Sequence, residues 1–309
     1  MSIEKRKILS VVVPCYDEEA AIAPFLEALP RELEVELEIV FVDDGSSDST
    51  LAEIKKAAKR DARVRYVVFS RNFGKEAAML AGLRKATGDY VVTMDVDLQD
   101  PPELLPDMLS AVRDEGFDCA ATRRVTRKGE PFLRSWFARG FYRAMRRFSD
   151  VELVDGARDY RLMTRQVADA VRSLPEVNRF TKGIYQWVGF KTKWISFENR
   201  KRSRGESKWS FWGLFRYAVD GLLAFSTMPL QIASCLGFCC CLLSFASLLF
   251  VVVRKLVCGD PVAGWPSLVC LIVFFGGMQL FFVGVLGSYL AKTYRETKRR
   301  PPYIVREES

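Results

Sequence analysis

Histidine is absent from all 309 residues. That absence removes Ser-His-Asp triads, Cys-His dyads and His-containing zinc sites together. The eight cysteines are Cys15, Cys119, Cys235, Cys239, Cys240, Cys241, Cys258 and Cys270, and no two of them form a C-x-x-C pair. Five lie in long apolar stretches, so small buried thiols in a reducing cytoplasm account for them better than a zinc ribbon does. No G-x-G-x-x-G follows the first apolar run and no G-x-x-x-x-G-K-[ST] occurs anywhere, which argues against a dinucleotide dehydrogenase and a P-loop ATPase. The opening MSIEKRKILS lacks an apolar core of signal-peptide length. Internal repeats and low-complexity segments are also missing.

Cations are plentiful: 46 Lys and Arg against 38 Asp and Glu give a net charge of +8. Such an excess suits nucleic acid, an anionic membrane surface or a phosphorylated substrate. The acidic residues are concentrated. In VVTMDVDLQDPPE, from Val91 to Glu103, an apolar run leads into Asp95, Asp97, Gln99 and Asp100. The run reads as a buried strand, and strand alternation would send Asp95 and Asp97 to one side with Val96 on the other. Pro101 and Pro102 stop the strand and suit the first turn of a helix. Two carboxylates and an amide oxygen at a strand end are hard ligands of the kind magnesium or manganese takes, usually shared with substrate phosphates. An isolated D-x-D is more often a solvated turn.

The surrounding pattern bears on that choice. Ile8–Val13, Leu37–Val42, Val64–Phe69, Tyr90–Met94 and Phe117–Thr122 read as strands. Segments at 17–29, from Leu51, 76–86 and 103–112 carry helical apolar spacing between them. Asp48 or Ser47 is placed to cap the second helix. Alternation at this interval implies an α/β domain with a mostly parallel sheet covered on both faces, and ligands in such sheets bind beyond the carboxyl ends of the strands. Pro14 to Glu18, Asp43-Asp44 and Asp95 to Gln99 all fall at such ends. Three polar clusters on one rim outweigh the solvated-turn reading, and an acidic rim holds phosphates through a metal.

Further on, Arg123 to Arg147 is rich in arginine and aromatics, a group able to hold an anionic acceptor although each cation alone reads as a solvated face. VDGARDYRLMT sets Asp155 and Asp159 four apart around Gly156. NRFTKG follows, and Lys191–Phe197 alternates like an edge strand. Arg200 to Lys208 is a basic run leading into Trp209–Phe225, which has the composition of an interfacial helix with aromatics at headgroup depth. Leu230–Val253 and Trp265–Leu290, about 24 and 26 residues without a charge, are each long enough to cross a bilayer. A polar turn from Arg254 separates them. The flanking cations outweigh those of the turn, so the positive-inside rule puts both chain ends in the cytoplasm. Cys239 to Cys241 sit mid-span as small polarizable residues at a helix contact. The expected division is a catalytic domain at 1–200, interfacial helices at 201–228, two membrane spans at 229–291 and a basic tail at 292–309.

Seven stretches in order, VVVPCYDEE, VDDGSSDST, RNFGKEAAMLAG, MDVDLQDPPE, DYRLM, NRFTKG and RKRSRGESKWS, resemble the family 2 glycosyltransferases. The resemblance is closest to the polyprenyl-phosphate branch that includes dolichol-phosphate mannose synthase and the bactoprenol glucosyltransferases. It covers nearly the whole chain and implies a GT-A fold, a Rossmann-like sheet domain followed by interfacial helices and a two-helix transmembrane hairpin. It also implies an inverting transfer from a nucleotide diphosphate sugar, UDP-glucose or a related UDP-sugar first, to undecaprenyl or dolichyl phosphate. Mg2+ or Mn2+ is the implied cofactor. Pro14, Tyr16, Glu18 and Asp44 would hold the nucleotide and Asp95 would lie near the nucleotide sugar. Asp97 and Gln99 would carry the metal, and Asp159 would sit beside the reacting sugar with Asp97 as the second catalytic residue. Arg123, Arg134, Arg200, Arg202 and Lys208 are the candidates for the lipid phosphate. The implied setting is the bacterial inner membrane, with the catalytic domain cytoplasmic, no nucleic-acid partner, and self-association left open.

Two other readings stand beside this one. A processive polysaccharide synthase of the same superfamily would carry a Gln-x-x-Arg-Trp signature, which is missing. A membrane-anchored binding module without catalysis has no need of three metal-directed oxygens.

Overall fold

The computed structural model describes residues 6–30, 32–125, 154–174, 176–198, 225–258 and 264–309. The chain divides into two compact units, Met1–Ala224 with Arg300–Ser309, and Phe225–Arg299. The first runs β1 (Ile8–Cys15), α1 (Ile22–Ala28), β2 (Glu36–Asp43), α2 (Thr50–Arg60), β3 (Val64–Phe69), α3 (Lys75–Lys85) and β4 (Tyr90–Thr93). A 3-10 turn (Pro102–Leu104) leads to α4 (Leu105–Arg113) and β5 (Cys119–Arg124). After these come β6 (Ala157–Thr164), α5 (Arg165–Ser173), α6 (Thr181–Trp187), β7 (Thr192–Phe197) and, from the far end of the chain, β8 (Val305–Glu308).

One eight-stranded sheet takes all the strands in the order β7-β5-β6-β4-β1-β2-β3-β8. Strands β4, β1, β2 and β3 are mutually parallel, and β5 is parallel to β7. Strands β6 and β8 run against their neighbours. The mostly parallel α/β sheet expected from the sequence is therefore present. Its β-branched strands are buried on both faces: Ile39 and Phe41 of β2 enter a core with Phe25, Leu105 and Met108, while Val40 and Val42 meet Ala77, Ala78 and Ala81. The alternation follows from the period-2 geometry of a strand.

Helix α3 packs closely on the sheet at Gly82. Its buried residues, Ala77 to Leu83, include the small Ala77, Ala78, Ala81 and Gly82, and a Cβ on Gly82 would come within 2.1 Å of Val12 Cγ1. Small residues thus let the helix seat directly on β1, which fixes where its first residue, Lys75, projects. Gly156 has a comparable role before β6. Its φ is +77°, and a Cβ there would meet Arg124 O at 2.4 Å, where the Arg124 N–H donates to Gly156 O at 2.9 Å.

The sequence reading shifts at several points. VDGARDYRLMT carries a strand, β6, that the run of charges obscured. Arg161 is 2 % exposed because its guanidinium lies over the rings of Tyr185 and Trp194, 4.5 and 5.2 Å from the centroids. The final residues, expected in a basic tail, form β8 on the edge of β3. Lys191–Phe197 does form an edge strand, β7. Ser49 rather than Asp48 or Ser47 precedes α2, and Asp48 Oδ1 accepts the Thr50 N–H at 2.9 Å.

The second unit holds α7 (Met228–Cys258) and α8 (Trp265–Thr297). Both are long and apolar enough to cross a membrane by length and composition. Helix α7 continues through Arg254 and Lys255, where a polar turn was expected. Arg and Lys are good helix formers and no Gly or Pro intervenes before Gly259. Cys240 Sγ lies 3.9 Å from Met278 Sδ, a contact between the helices at one of the three mid-span cysteines.

Candidate active site

Because β4, β1 and β2 are adjacent and parallel, their carboxyl ends share one rim. Backbone bonds from Met94 N to Val12 O (3.0 Å) and from Asp44 N to Cys15 O (2.9 Å) lace the ends together. Strand β6, running the other way, begins on that same rim and delivers Arg158 and Asp159. The carboxyl end of β5, with Arg123, arrives there too.

The Asp95–Gln99 segment departs from the strand geometry inferred for it. Pairing ends at Thr93, and Leu98 adopts a left-handed φ of 56°, so the chain turns and strand alternation does not set the direction of Asp95 and Asp97. The turn is not solvated either. Asp97 is 7 % exposed and Asp100 is fully buried. Asp97 Oδ1 accepts the Gln99 N–H at 3.1 Å, closing the turn, and Gln99 Oε1 accepts from Arg158 at 3.3 Å. Arg158 Nε also donates to Asp100 Oδ1 at 2.9 Å, which neutralises a carboxylate that burial alone would make costly.

At the centre is Lys75. Its Nζ stands 2.6 Å from Asp95 Oδ1 and 2.7 Å from Asp159 Oδ2, and Lys182 Nζ stands 3.9 Å from the other Asp159 oxygen. Burial would raise the Asp159 carboxyl, but Lys75 and Lys182 hold it well below the usual carboxylate range. Burial likewise works against the Lys75 charge, and Asp159 and Asp95 overcome it and raise that ammonium above its ordinary value. Glu76, the next residue, accepts the Thr181 N–H at 3.0 Å and the Thr181 hydroxyl. The segments RNFGKE and NRFTKG therefore meet through Glu76. Lys75, Arg158 and Lys182 were not singled out from the sequence, although each lies within or beside a motif that was.

On the β1 and β2 side, Pro14 is half-buried and Tyr16 is 37 % exposed. The Glu18 N–H donates to Thr50 Oγ1 at 2.7 Å, and Asp17 Oδ1 accepts the Ser47 N–H at 2.8 Å. Asp44 is buried, and its two oxygens accept the N–H groups of Phe73 (2.6 Å) and Gly74 (2.9 Å). Burial pushes the Asp44 carboxyl up to about 6, against the pull of those two donors. Asp44 thus pins the loop that carries Lys75. Arg123 is exposed, with Nε donating to Ser196 Oγ at 2.9 Å. Arg134, Arg200, Arg202 and Lys208, together with most of the expected interfacial helix, lie outside the described residues.

The donor set bears on whether a metal fits. Among the described residues no three His, Cys, Asp or Glu side chains group as a metal cage. Asp95 is engaged by Lys75 and the Gln99 oxygen by Arg158. Asp97 and Gln99 supply hard oxygens on one short turn, the Gln99 oxygen having a second lone pair beside its Arg158 bond. This suits Mg2+ or Mn2+ held by one or two protein groups and completed by substrate phosphates, and does not suit an all-protein site.

Comparison with known proteins gives this rim a family. The model described as Glycosyl transferase family 2 matches residues 10–172. The bactoprenol glucosyl transferase of Shigella phage SfV is 39% identical over 97% of this chain and 98% of its own length. The Escherichia coli (strain K12) prophage bactoprenol glucosyl transferase homolog is 39% identical over 96% of this chain and 98% of its own. An uncharacterized glycosyltransferase, sll0501, of Synechocystis is 39% identical over 96% and 94%. The match spans the strand ends and the C-terminal helices alike. The chain belongs to glycosyl transferase family 2 and is a glycosyltransferase.

Proposed function

We propose that the protein transfers a single sugar, glucose from UDP-glucose in the first instance, to the phosphate of a polyprenyl lipid at the cytoplasmic face of a bacterial inner membrane. One observation carries this reading. Asp95, Asp100 and Asp159 converge with Lys75, Arg158 and Lys182 on the rim of a chain that is 39% identical, almost end to end, to a bactoprenol glucosyl transferase.

The chemistry suits these residues. A lipid phosphate is already anionic near neutral pH, since its second ionisation lies around 6. The acceptor oxygen attacks the anomeric carbon, the bond from that carbon to the diphosphate oxygen breaks, and the nucleoside diphosphate leaves with the electron pair. No side chain need take a proton, which fits a chain without histidine. Asp159, held ionised between two lysines, orients the sugar instead of acting as a base. Attack opposite the diphosphate inverts the anomeric centre. A divalent metal bound at Asp97 and Gln99 would supply positive charge to the leaving diphosphate. Pro14, Tyr16, Glu18 and Asp44 frame the nucleotide side. Arg123 faces the acceptor side, with Arg134, Arg200, Arg202 and Lys208 assigned to the lipid phosphate.

Helices α7 and α8 act as the membrane anchor, with both chain ends cytoplasmic. They tether the chain to the membrane that holds the acceptor, whose phosphate must remain at headgroup depth because its charge is costly to bury in hydrocarbon. A donor panel of UDP- and GDP-sugars, run with polyprenyl phosphate and either Mg2+ or Mn2+, tests the assignment through nucleoside diphosphate release. Release should be abolished by EDTA and cut at least about a hundredfold in Asp97→Ala. Full release in EDTA would overturn the metal assignment, and no release with any donor would overturn the reading itself.

A further inference from the structure

Lys75 is placed where helix physics gives no reason for a cation. It is the first residue of α3, and positive charge in a first turn opposes the helix dipole. The small-residue face of α3 fixes its position: Gly82 sits so tightly on Val12 that the helix has little room to shift. Gly74 before it has a φ of +96°, and Asp44 accepts the Phe73 and Gly74 N–H groups, so the approach to Lys75 is also clamped. The ammonium then bridges two carboxylates from different strand ends, Asp95 after β4 and Asp159 in β6. Without it, Asp95 would lose its ion-pair partner and Asp159 would keep only the more distant Lys182, 3.9 Å away.

We propose that Lys75 is a positioning residue, a resident counter-cation that holds Asp95 and Asp159 together before the donor arrives and keeps divalent metal binding weak until the donor's diphosphate supplies ligands. The proposal rests on the transferase reading above for the identity of the donor. A positive charge within 3 Å of two carboxylates lowers the negative potential that a second cation would feel. Metal and nucleotide are thereby made to bind together, and the rim stays ordered when neither is present.

The test uses the full-length protein in detergent and Mn2+ alone as the probe, with free Mn2+ read by its electron paramagnetic resonance signal in the absence of nucleotide. Lys75→Met should bind Mn2+ about tenfold more tightly than wild type, and Lys75→Arg should stay near wild type. A residue that only supported the fold would lower Mn2+ affinity on removal, so the direction separates the two roles. Turnover with UDP-glucose should fall at least about tenfold in Lys75→Met, with the KM for undecaprenyl phosphate within about twofold of wild type. Unchanged or weaker Mn2+ binding in Lys75→Met, with its thermal transition intact, would overturn the proposal. If Lys75→Met does not fold, Lys75→Gln replaces it in the same titration with the same expected direction. Failure of the transferase reading looks different: wild type itself would release no nucleotide with any donor, while the Mn2+ titration would still decide the role of Lys75.

Discussion

Glu76 accepts the backbone N–H of Thr181 at 3.0 Å, joining the first turn of α3 to the first turn of α6 across 105 residues of sequence. Phe180, which precedes α6, offers no side-chain cap. A carboxylate from another helix therefore satisfies an N–H that would otherwise lack a partner at a helix start.

Replacing Glu76 with Ala should destabilise the sheet unit by roughly 1–2 kcal/mol, the usual cost of losing a cap and leaving a donor unsatisfied. It should also raise the KM for the nucleotide sugar, since Lys182 follows Thr181 and leans on Asp159. Chemical denaturation and steady-state kinetics measure the two effects. Wild-type values for both would show that the bond does not hold the site together.

Asp44 gives the stability of the sheet unit a pH dependence of defined sign. Its folded value, about 6, lies above its ordinary 3.8, so the folded state holds the proton more tightly than the unfolded chain. Its contribution is therefore complete below about pH 4 and declines as pH rises to about 6, by on the order of 2 kcal/mol. Asp159 has the opposite sign. Its depressed folded value stabilises above the ordinary carboxylate range, and that contribution is lost only as the solution becomes more acid. Denaturation midpoints from pH 4.5 to 7 should slope downward in wild type and less steeply in Asp44→Asn, where the Asp100 carboxyl, also pushed up to about 6 by burial, keeps part of the slope. Parallel profiles for the two proteins would contradict this.

How far the sequence discloses this molecule depends on where its charges go. Parallel strands β1 to β4 were legible because burial on both faces makes them plain apolar runs, and the polar clusters at their ends followed from topology. Strand β6 was hidden because Arg158, Asp159 and Arg161 look like a surface loop until Asp100, Lys75 and the Tyr185 ring are seen to take up their charges. Strand β8 was hidden because its four residues, Val305 to Glu308, carry three charges and pair with a strand more than 200 positions away. Lys75 was within reach: a lysine directly after Gly74 in a segment that turns into a buried alanine-rich helix has few places to put its charge.

Strand β8 closes the β3 edge with more than backbone bonds. Tyr303 stacks on Phe69 at 4.8 Å, and Lys55 pairs with Glu307 at 2.7 Å. Deleting residues 303–309 should expose β3 as an open edge and remove a packed aromatic ring. A loss of roughly 2–3 kcal/mol is expected, most of it from the ring because surface ion pairs contribute little. Light scattering at elevated temperature should show earlier aggregation than wild type. An unchanged midpoint and unchanged scattering would mean that the strand is dispensable to the sheet.

Transfer of one sugar to a lipid phosphate is read by following the sugar itself. Purified full-length protein is incubated with UDP-[14C]glucose, Mg2+ and undecaprenyl phosphate, and the label is partitioned between water and organic solvent. Label is expected in the organic phase as a single glucosyl unit per lipid phosphate, dependent on the lipid and lost in Asp97→Ala. Label appearing only as free glucose, or as a polymer that lengthens with time, would contradict it.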